Sequence, residues 1–123
     1  MRRTWLTKKE GGVLTLFFCG WGMDERSVQQ VTGSGDVLVF YDYRDISEEK
    51  APDVGDYESV RVIAWSMGVW AASVLLNRWN LSVDRRVAIN GTERPVDEHY
   101  GIHPKIYKLT ELGMTEQGRD KFF

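Results

Sequence analysis

The sequence predicts an α/β fold, in which a three-layer α/β/α sandwich is built on a mostly parallel sheet. Three near-continuous apolar runs, at residues 13–19 (VLTLFFC), 37–43 (VLVFYDY) and 60–65 (VRVIAW), alternate with turn-rich or helical stretches. Apolar runs without polar alternation are typical of strands covered on both faces, and such strands form parallel sheets. A fourth strand is predicted at residues 86–90 (RVAIN). A chain of 123 residues is long enough for one small domain with its own core.

Helices are predicted between these strands. Asp24 can cap a helix that runs to about Val31, where the Gly-Ser-Gly segment at 33–35 breaks it. Residues 67–79 carry apolar side chains at helical spacing, and this helix is expected to end near residues 77–78. The sequence therefore predicts a βαβ unit followed by a strand, a longer helix and a further strand.

The character of the chain changes after Gly91. The following stretch is polar and is interrupted by prolines and glycines, namely Pro95, Gly101, Pro104 and Gly113. Thr115 can cap a final helix that ends at Phe122 and Phe123. We therefore place a boundary between residues 92 and 93.

Composition and charge exclude several classes of function. The net charge is −2 with acidic and basic residues interspersed, which disfavours binding to nucleic acid. No stretch has the pattern of a signal peptide or a membrane span. Cys19 is the single cysteine and lies in an apolar run, so we expect a buried structural thiol in a protein of the reducing cytoplasm.

Ser66 stands where a predicted strand turns into a predicted helix. A nucleophilic serine on such a tight turn points out of the carboxyl edge of the sheet, and the turn requires small residues two positions before and two after it. Here these residues are Ala64 and Gly68. The start of the helix also brings the backbone N–H of Met67 towards a developing oxyanion. The alternative is that Ser66 only caps the helix, as serine commonly does.

An oxyanion hole needs a second donor, which the loop after an earlier strand can supply. That loop contains Gly20, Trp21 and Gly22, and its glycines allow a backbone N–H to approach a substrate oxygen closely. We predict that Trp21 N–H is the donor. We expect the acyl chain to bind against Gly20, Trp21, Gly22 and Trp65, with the Trp21 indole covering the pocket.

Other polar residues give weaker signals. Asp42 and Asp45 follow the second predicted strand, where a dinucleotide fold would hold ribose. The glycine pattern of a phosphate loop is incomplete, however, so turn or salt-bridge roles are favoured for both aspartates.

His99 and His103 are interpreted as loop histidines, although either is an alternative base for Ser66. Glu93 and Asp97, just past the fourth predicted strand, are interpreted as solvated carboxylates. No metal site and no cofactor is predicted.

Four motifs together, FCGWGM, YDYRD, AWSMGVW and AINGT, resemble the BioG-type pimeloyl-acyl carrier protein methyl ester esterases (domain-of-unknown-function family 452), α/β-hydrolases of biotin biosynthesis. The resemblance implies that Ser66 is the nucleophile and that the Trp21 and Met67 amides form the oxyanion hole. It implies a pimeloyl methyl ester carried on acyl carrier protein as the substrate. It also implies that residues 1–92 are the N-terminal half of a hydrolase core and that residues 93–123 begin its cap.

The chain departs from this family at its end. In the α/β-hydrolase order the acid and then the histidine follow the serine on later strands, so we expect an N-terminal part of a longer protein, with an esterase site whose base lies outside this polypeptide. One alternative is a non-catalytic fragment that binds acyl groups or the carrier protein, and another is a thioesterase or acyltransferase of the same fold. An open sheet edge would also permit a homo-oligomer.

Overall fold

The computed structural model describes residues 1–8, 11–30 and 35–122. It contains five strands: β1 (Arg2–Thr7), β2 (Gly12–Phe18), β3 (Asp36–Tyr41), β4 (Tyr57–Trp65) and β5 (Arg85–Ile89). A 3₁₀ helix (Glu25–Val28) follows β2, and α1 (Met67–Trp79) connects β4 to β5. Two further helices, α2 (Pro104–Leu112) and α3 (Glu116–Phe122), follow β5. The chain divides into two compact units, Met1–Glu93 and Arg94–Phe123, and the first contains the whole sheet.

The five strands form one sheet in the order β1-β3-β2-β4-β5. Strands β2 to β5 are parallel, whereas β1 pairs with β3 in the antiparallel direction. The predicted parallel sheet is therefore confirmed, with β1 as an additional edge strand that the sequence analysis did not predict. Because the strands are parallel, the ends of β2, β3 and β4 lie at the same edge, and the segments that follow them meet there.

Apolar side chains cover both faces of the sheet. On one face Phe18 and Phe40 stack with their ring centroids 4.6 Å apart and pack with Leu75 of α1. On the other face Cys19 packs with Val28 of the 3₁₀ helix. Burying a side chain of this size stabilises the fold by about 1.5–3 kcal/mol. Helical segments thus lie on both faces of the sheet, as the sandwich prediction requires.

Some element boundaries differ from the predictions. The segment after Asp24 forms only a short 3₁₀ helix, in which the Asp24 carboxylate accepts a hydrogen bond from Arg26 N at 3.0 Å. The predicted end of that helix, Val31, lies outside the described residues, as do Gly33 and Ser34. The third strand ends at Tyr41, because Asp42 adopts a φ of 59° and turns the chain.

The helices at the end of the chain give one confirmation and one miss. Thr115 caps α3 as predicted, since its Oγ1 accepts a hydrogen bond from Gly118 N at 3.1 Å. Helix α2 was not predicted, because the polar stretch that contains Pro104 indicated a loop. Proline suits the first turn of a helix, and His103 caps α2 through its ring nitrogen. The side chain of Phe122 and the whole of Phe123 lie outside the described residues.

Strand β5 forms one edge of the sheet and is exposed along its length. Its apolar residues Val87 and Ile89 are each 42 % exposed. An exposed strand edge can pair with another chain, and the homo-oligomer expected from the sequence remains a prediction. No helix among the described residues is long and apolar enough to cross a membrane.

The Cys19 thiol gives a test of the core. It is fully buried, and burial raises its pKa from 9.0 to about 12, with smaller contributions from Asp24 and Glu25. The thiol therefore favours the folded state below pH 9, and this contribution is lost as the pH rises towards 12. We expect Ellman's reagent to react with Cys19 only after denaturation at a pH of about 8.

The Cys19→Ala variant is the control for both measurements. It should show no reaction in either state, and its free energy of unfolding should fall less steeply above pH 9 than that of the wild type. Rapid reaction of the native chain with the reagent would contradict the described burial.

Candidate active site

Ser66 occupies the single residue between the end of β4 and the start of α1, and its side chain is exposed. Its backbone has φ 54° and ψ −121°, a conformation that L-residues rarely adopt. Two hydrogen bonds hold it, from Ser66 N to Ile89 O at 2.9 Å and from Val69 N to Ser66 O at 3.0 Å. Such strain costs about 1–3 kcal/mol and persists only where the surroundings impose it. The predicted strained turn is present.

The capping alternative for Ser66 is wrong. A capping serine has an extended backbone and accepts a hydrogen bond from an amide of the first helical turn. Ser66 has a positive φ, and its side chain makes no cap hydrogen bond to α1. The hydroxyl is therefore not used to stabilise the helix start.

Glycines allow the segments around Ser66 to approach one another. A Cβ at Gly68 would lie 2.3 Å from Phe18 O and 2.6 Å from Cys19 O, so no side chain fits there. A Cβ at Gly91 would lie 2.4 Å from Ser66 O. The small residue predicted two positions after the serine is thus required by direct contact between α1 and the end of β2.

The loop after β2 lies beside Ser66. A Cβ at Gly20 would be 3.4 Å from the Ser66 Cβ and 3.0 Å from the Met23 Sδ. The loop closes in a turn, in which Met23 N donates to Gly20 O at 3.3 Å and Gly22 has a φ of 72°. The structure therefore brings together the two segments that the sequence analysis assigned to the nucleophile and to the oxyanion hole.

The remaining predicted site residues flank this turn. Trp21 is 47 % exposed, and Trp65 and Met67 are half-buried on either side of Ser66. Gly22 lines a polar cavity of about 480 Å³ together with Asp24 and other residues of the 3₁₀ segment. The assignments of Trp21 and Met67 to the oxyanion hole, and of Gly20, Trp21, Gly22 and Trp65 to the acyl pocket, remain predictions.

The two histidines and the two candidate acids are placed as follows. His103 Nδ1 accepts a hydrogen bond from Lys105 N, and His99 N donates to the Asp97 carboxylate. Hydrogen bonds from the His99 and Tyr100 amides lower the pKa of Asp97, which is a turn-stabilising carboxylate. Glu93 is exposed and accepts a hydrogen bond from Ser73 Oγ at 3.0 Å. Among the described contacts, Glu93, Asp97 and the His103 ring thus each accept a hydrogen bond from a neighbouring residue, and the His99 ring does not.

The structural roles predicted for the two aspartates after β3 are confirmed. Asp42 forms an ion pair with Arg44 that lowers the pKa of the carboxyl. Asp45 accepts hydrogen bonds from both the amide and the hydroxyl of Ser47. The residue between them, Tyr43, was not singled out from the sequence, yet its hydroxyl donates to Cys19 O at the start of the Ser66-facing loop. Its position directly after a buried strand was the only available signal.

The described ranges contain no group of three or more histidine, cysteine, aspartate or glutamate side chains that could hold a metal ion.

Replacing Gly68 by alanine tests the contact between α1 and β2. The added Cβ would meet two backbone carbonyls, which cannot move without disturbing the sheet. We expect the free energy of unfolding in urea to fall by at least about 2 kcal/mol. Gly55→Ala is the matched control, since its Cβ would lie at an ordinary 3.4 Å from the Asp53 carboxylate. Equal stability of the two variants would contradict this packing.

Comparisons with known proteins agree with the geometry. The family described as pimeloyl-ACP methyl esterase BioG matches residues 1–123. The chain is 42 % identical over 108 residues to a malonyl-[acyl-carrier protein] O-methyltransferase of Bacteroides fragilis, covering 87 % of this chain and 22 % of that protein. It is 36 % identical over 115 residues to an uncharacterized protein of Haemophilus influenzae, covering 92 % and 52 % of the two chains.

A solved structure gives the same result. The crystal structure of BioG from Haemophilus influenzae superposes with a TM-score of 0.84 at 32 % sequence identity, covering 99 % of this chain and 56 % of that one. The chain thus spans about half the length of the Haemophilus proteins and about a fifth of the methyltransferase. The match in sequence, fold and extent shows that this chain belongs to the BioG family and has an α/β-hydrolase-like fold.

Proposed function

We propose that Ser66 is the nucleophile of a carboxyl-ester hydrolase of biotin biosynthesis, which removes the methyl ester from a pimeloyl chain carried on acyl carrier protein. The observation that carries this proposal is the conformation of Ser66. It is an exposed serine at a strained strand-to-helix turn, with no capping hydrogen bond and with a glycine loop beside it. Backbone strain of this kind clusters at active sites, where it aims a reactive group.

The chemistry follows from this arrangement. The Ser66 Oγ attacks the ester carbonyl carbon, and the carbonyl oxygen takes up the negative charge of the tetrahedral intermediate. The N–H groups of Trp21 and Met67 donate hydrogen bonds to that oxygen. The C–O bond to the methoxy group breaks, and methanol leaves after protonation. Water then attacks the acyl-enzyme and releases the free carboxylate together with Ser66.

Ser66 needs a general base to become an effective nucleophile. The unit Met1–Glu93 contains no histidine, since the two histidines of the chain are His99 and His103. We propose that the base and its acid come from the part of the family fold that this chain does not span, because in α/β-hydrolases both follow the serine in the sequence. The coverage of 56 % of Haemophilus BioG leaves room for them.

The relatives support an acyl carrier protein as the partner. The BioG family description and the name of the Bacteroides protein both refer to substrates on this carrier. One name describes removal of a methyl group from the carried acid and the other its addition. Because the methyl esterase family matches residues 1–123, whereas the chain covers only 22 % of the methyltransferase, esterase chemistry is favoured here over methyl transfer.

Replacing Ser66 by alanine tests the proposal. The substrate is methyl pimeloyl-acyl carrier protein, and the enzyme is a fusion in which the unmatched part of Haemophilus BioG follows residue 123. We expect Ser66→Ala to lower kcat by about 10³-fold or more, because the acyl-enzyme can no longer form. Ser73→Ala is the control, since it removes a hydroxyl from α1 that bonds only to Glu93 among the described contacts. Full activity of Ser66→Ala would overturn the proposal.

The same assay separates the alternatives. An esterase releases methanol and leaves the acyl chain on the carrier, whereas a thioesterase or acyltransferase liberates the carrier thiol. A non-catalytic fragment would bind the carrier without releasing either product. The 123-residue chain by itself should show no Ser66-dependent turnover, and turnover from it would make His99 and His103 the next residues to replace.

A further inference from the structure

We propose that Tyr43 is a positioning residue that holds the oxyanion loop, defined as residues 19–23, through the backbone carbonyl of Cys19. This inference deepens the proposed function and rests on it. Tyr43 follows β3 and belongs to the YDYRD segment, and the mechanism above gives it no role. Its hydroxyl donates a hydrogen bond to Cys19 O at 2.7 Å and also lies 3.1 Å from Phe40 O.

The turn after β3 delivers the Tyr43 ring to this place. Asp42 has a φ of 59°, which ends the strand and redirects the chain. Ion pairs with Arg2 and Arg44 hold the Asp42 carboxylate. The half-buried Tyr43 ring then packs against the core on the α1 face of the sheet. Asp42 and its ion pairs thus build the turn, and the next residue, Tyr43, makes the contact.

Cys19 is held through both of its backbone polar groups. Its N–H donates to Phe40 O at 3.0 Å, and its carbonyl accepts the Tyr43 hydroxyl. Burial raises the pKa of Tyr43, so the hydroxyl remains a donor over the whole working range of pH. The ends of β2 and β3 are therefore tied together at the residue where the oxyanion loop begins.

This tie fixes the Cys19–Gly20 peptide group, from which the turn of the oxyanion loop begins. Gly20 O accepts a hydrogen bond from Met23 N across the turn. In a trans peptide the N–H and the C=O point in opposite directions, so the orientation of Gly20 O sets that of Trp21 N–H. The Cys19 carbonyl also lies against Gly68 at the start of α1. Tyr43, the oxyanion loop and the Ser66 turn consequently meet at one carbonyl group.

The test uses the 123-residue chain and the variant Tyr43→Phe, which removes the hydroxyl and keeps the ring. Tyr41→Phe is the matched control, because the Tyr41 ring also packs beside the loop, whereas its hydroxyl lies 3.2 Å from Thr4 Oγ1 of β1. Amide NMR spectra report the loop directly. We expect Tyr43→Phe to shift the Gly20 and Trp21 amide signals, since Gly20 N is bonded to the affected carbonyl carbon, and Tyr41→Phe to leave them in place.

Butaneboronic acid supplies the functional arm of the test. A boronic acid forms a tetrahedral, negatively charged adduct with a serine hydroxyl and thereby mimics the oxyanion. We expect Tyr43→Phe to weaken its binding by about tenfold, Tyr41→Phe to leave it unchanged and Ser66→Ala to abolish it. If Ser66→Ala binds as the wild type does, the proposed function fails. If binding requires Ser66 but Tyr43→Phe changes neither the loop amides nor the affinity, the positioning role fails.

Two further outcomes are also decisive. If the wild-type chain binds no boronic acid, the loop amides alone decide whether Tyr43 positions the loop, and unchanged signals overturn the proposal. If Tyr43→Phe does not fold, the wild-type chain is examined instead for the Tyr43 hydroxyl proton. We expect a proton signal protected from exchange with water, and rapid exchange of this proton would contradict its hydrogen bond to Cys19 O.

Discussion

The close contact between the start of α1 and the end of β2 is the constraint on which the candidate site depends. At Gly68 the helix backbone comes so near to the Phe18 and Cys19 carbonyls that there is no space for a side chain. This approach leaves a single residue to connect β4 to α1, and that residue is Ser66. The positive φ of Ser66 is therefore a consequence of how closely the helix packs on the sheet.

The packing around this contact offsets the strain. Leu75 and Ala71 of α1 are fully buried against the sheet, so the helix cannot withdraw without exposing apolar surface. The main-chain bond from Ser66 N to Ile89 O extends the pairing of β4 with β5 into the turn. The free energy gained by burying this core is many kilocalories per mole. It thus offsets the cost of the Ser66 backbone conformation, which is about 1–3 kcal/mol.

Much of this arrangement could be predicted from the sequence, because strands buried on both faces of a parallel sheet form near-continuous apolar runs. The apolar runs that became β2, β3 and β4, and the small residues around Ser66, followed directly from the residue types. Strand β1 was not predicted because its exposed Arg2 and Arg3 look like a polar terminus. Helix α2 was not predicted because Pro104 and the surrounding prolines and glycines indicated an interrupted polar stretch, although Ile106, Leu109 and Leu112 recur at helical spacing.

The role of Tyr43 depends on tertiary structure that no local pattern encodes. Its partner Cys19 lies 24 residues away in the sequence, and the contact arises only because β2 and β3 are neighbours in a parallel sheet. The Ser66 motif is different, since strand, serine and helix follow one another along the chain. The candidate nucleophile Ser66 could therefore be predicted from the sequence, whereas the tyrosine that contacts the loop beside it could not.

The reactivity of Ser66 is the central claim, and an alkyl fluorophosphonate measures it most directly. The fusion in which the unmatched part of Haemophilus BioG follows residue 123 is incubated with the reagent to completion, digested and mapped by peptide mass spectrometry. We expect a phosphonate adduct on Ser66, because among the serines that the structure describes Ser66 alone combines a strained, exposed hydroxyl with a neighbouring glycine loop. An adduct on another serine or on a tyrosine, with Ser66 unmodified, would contradict the claim.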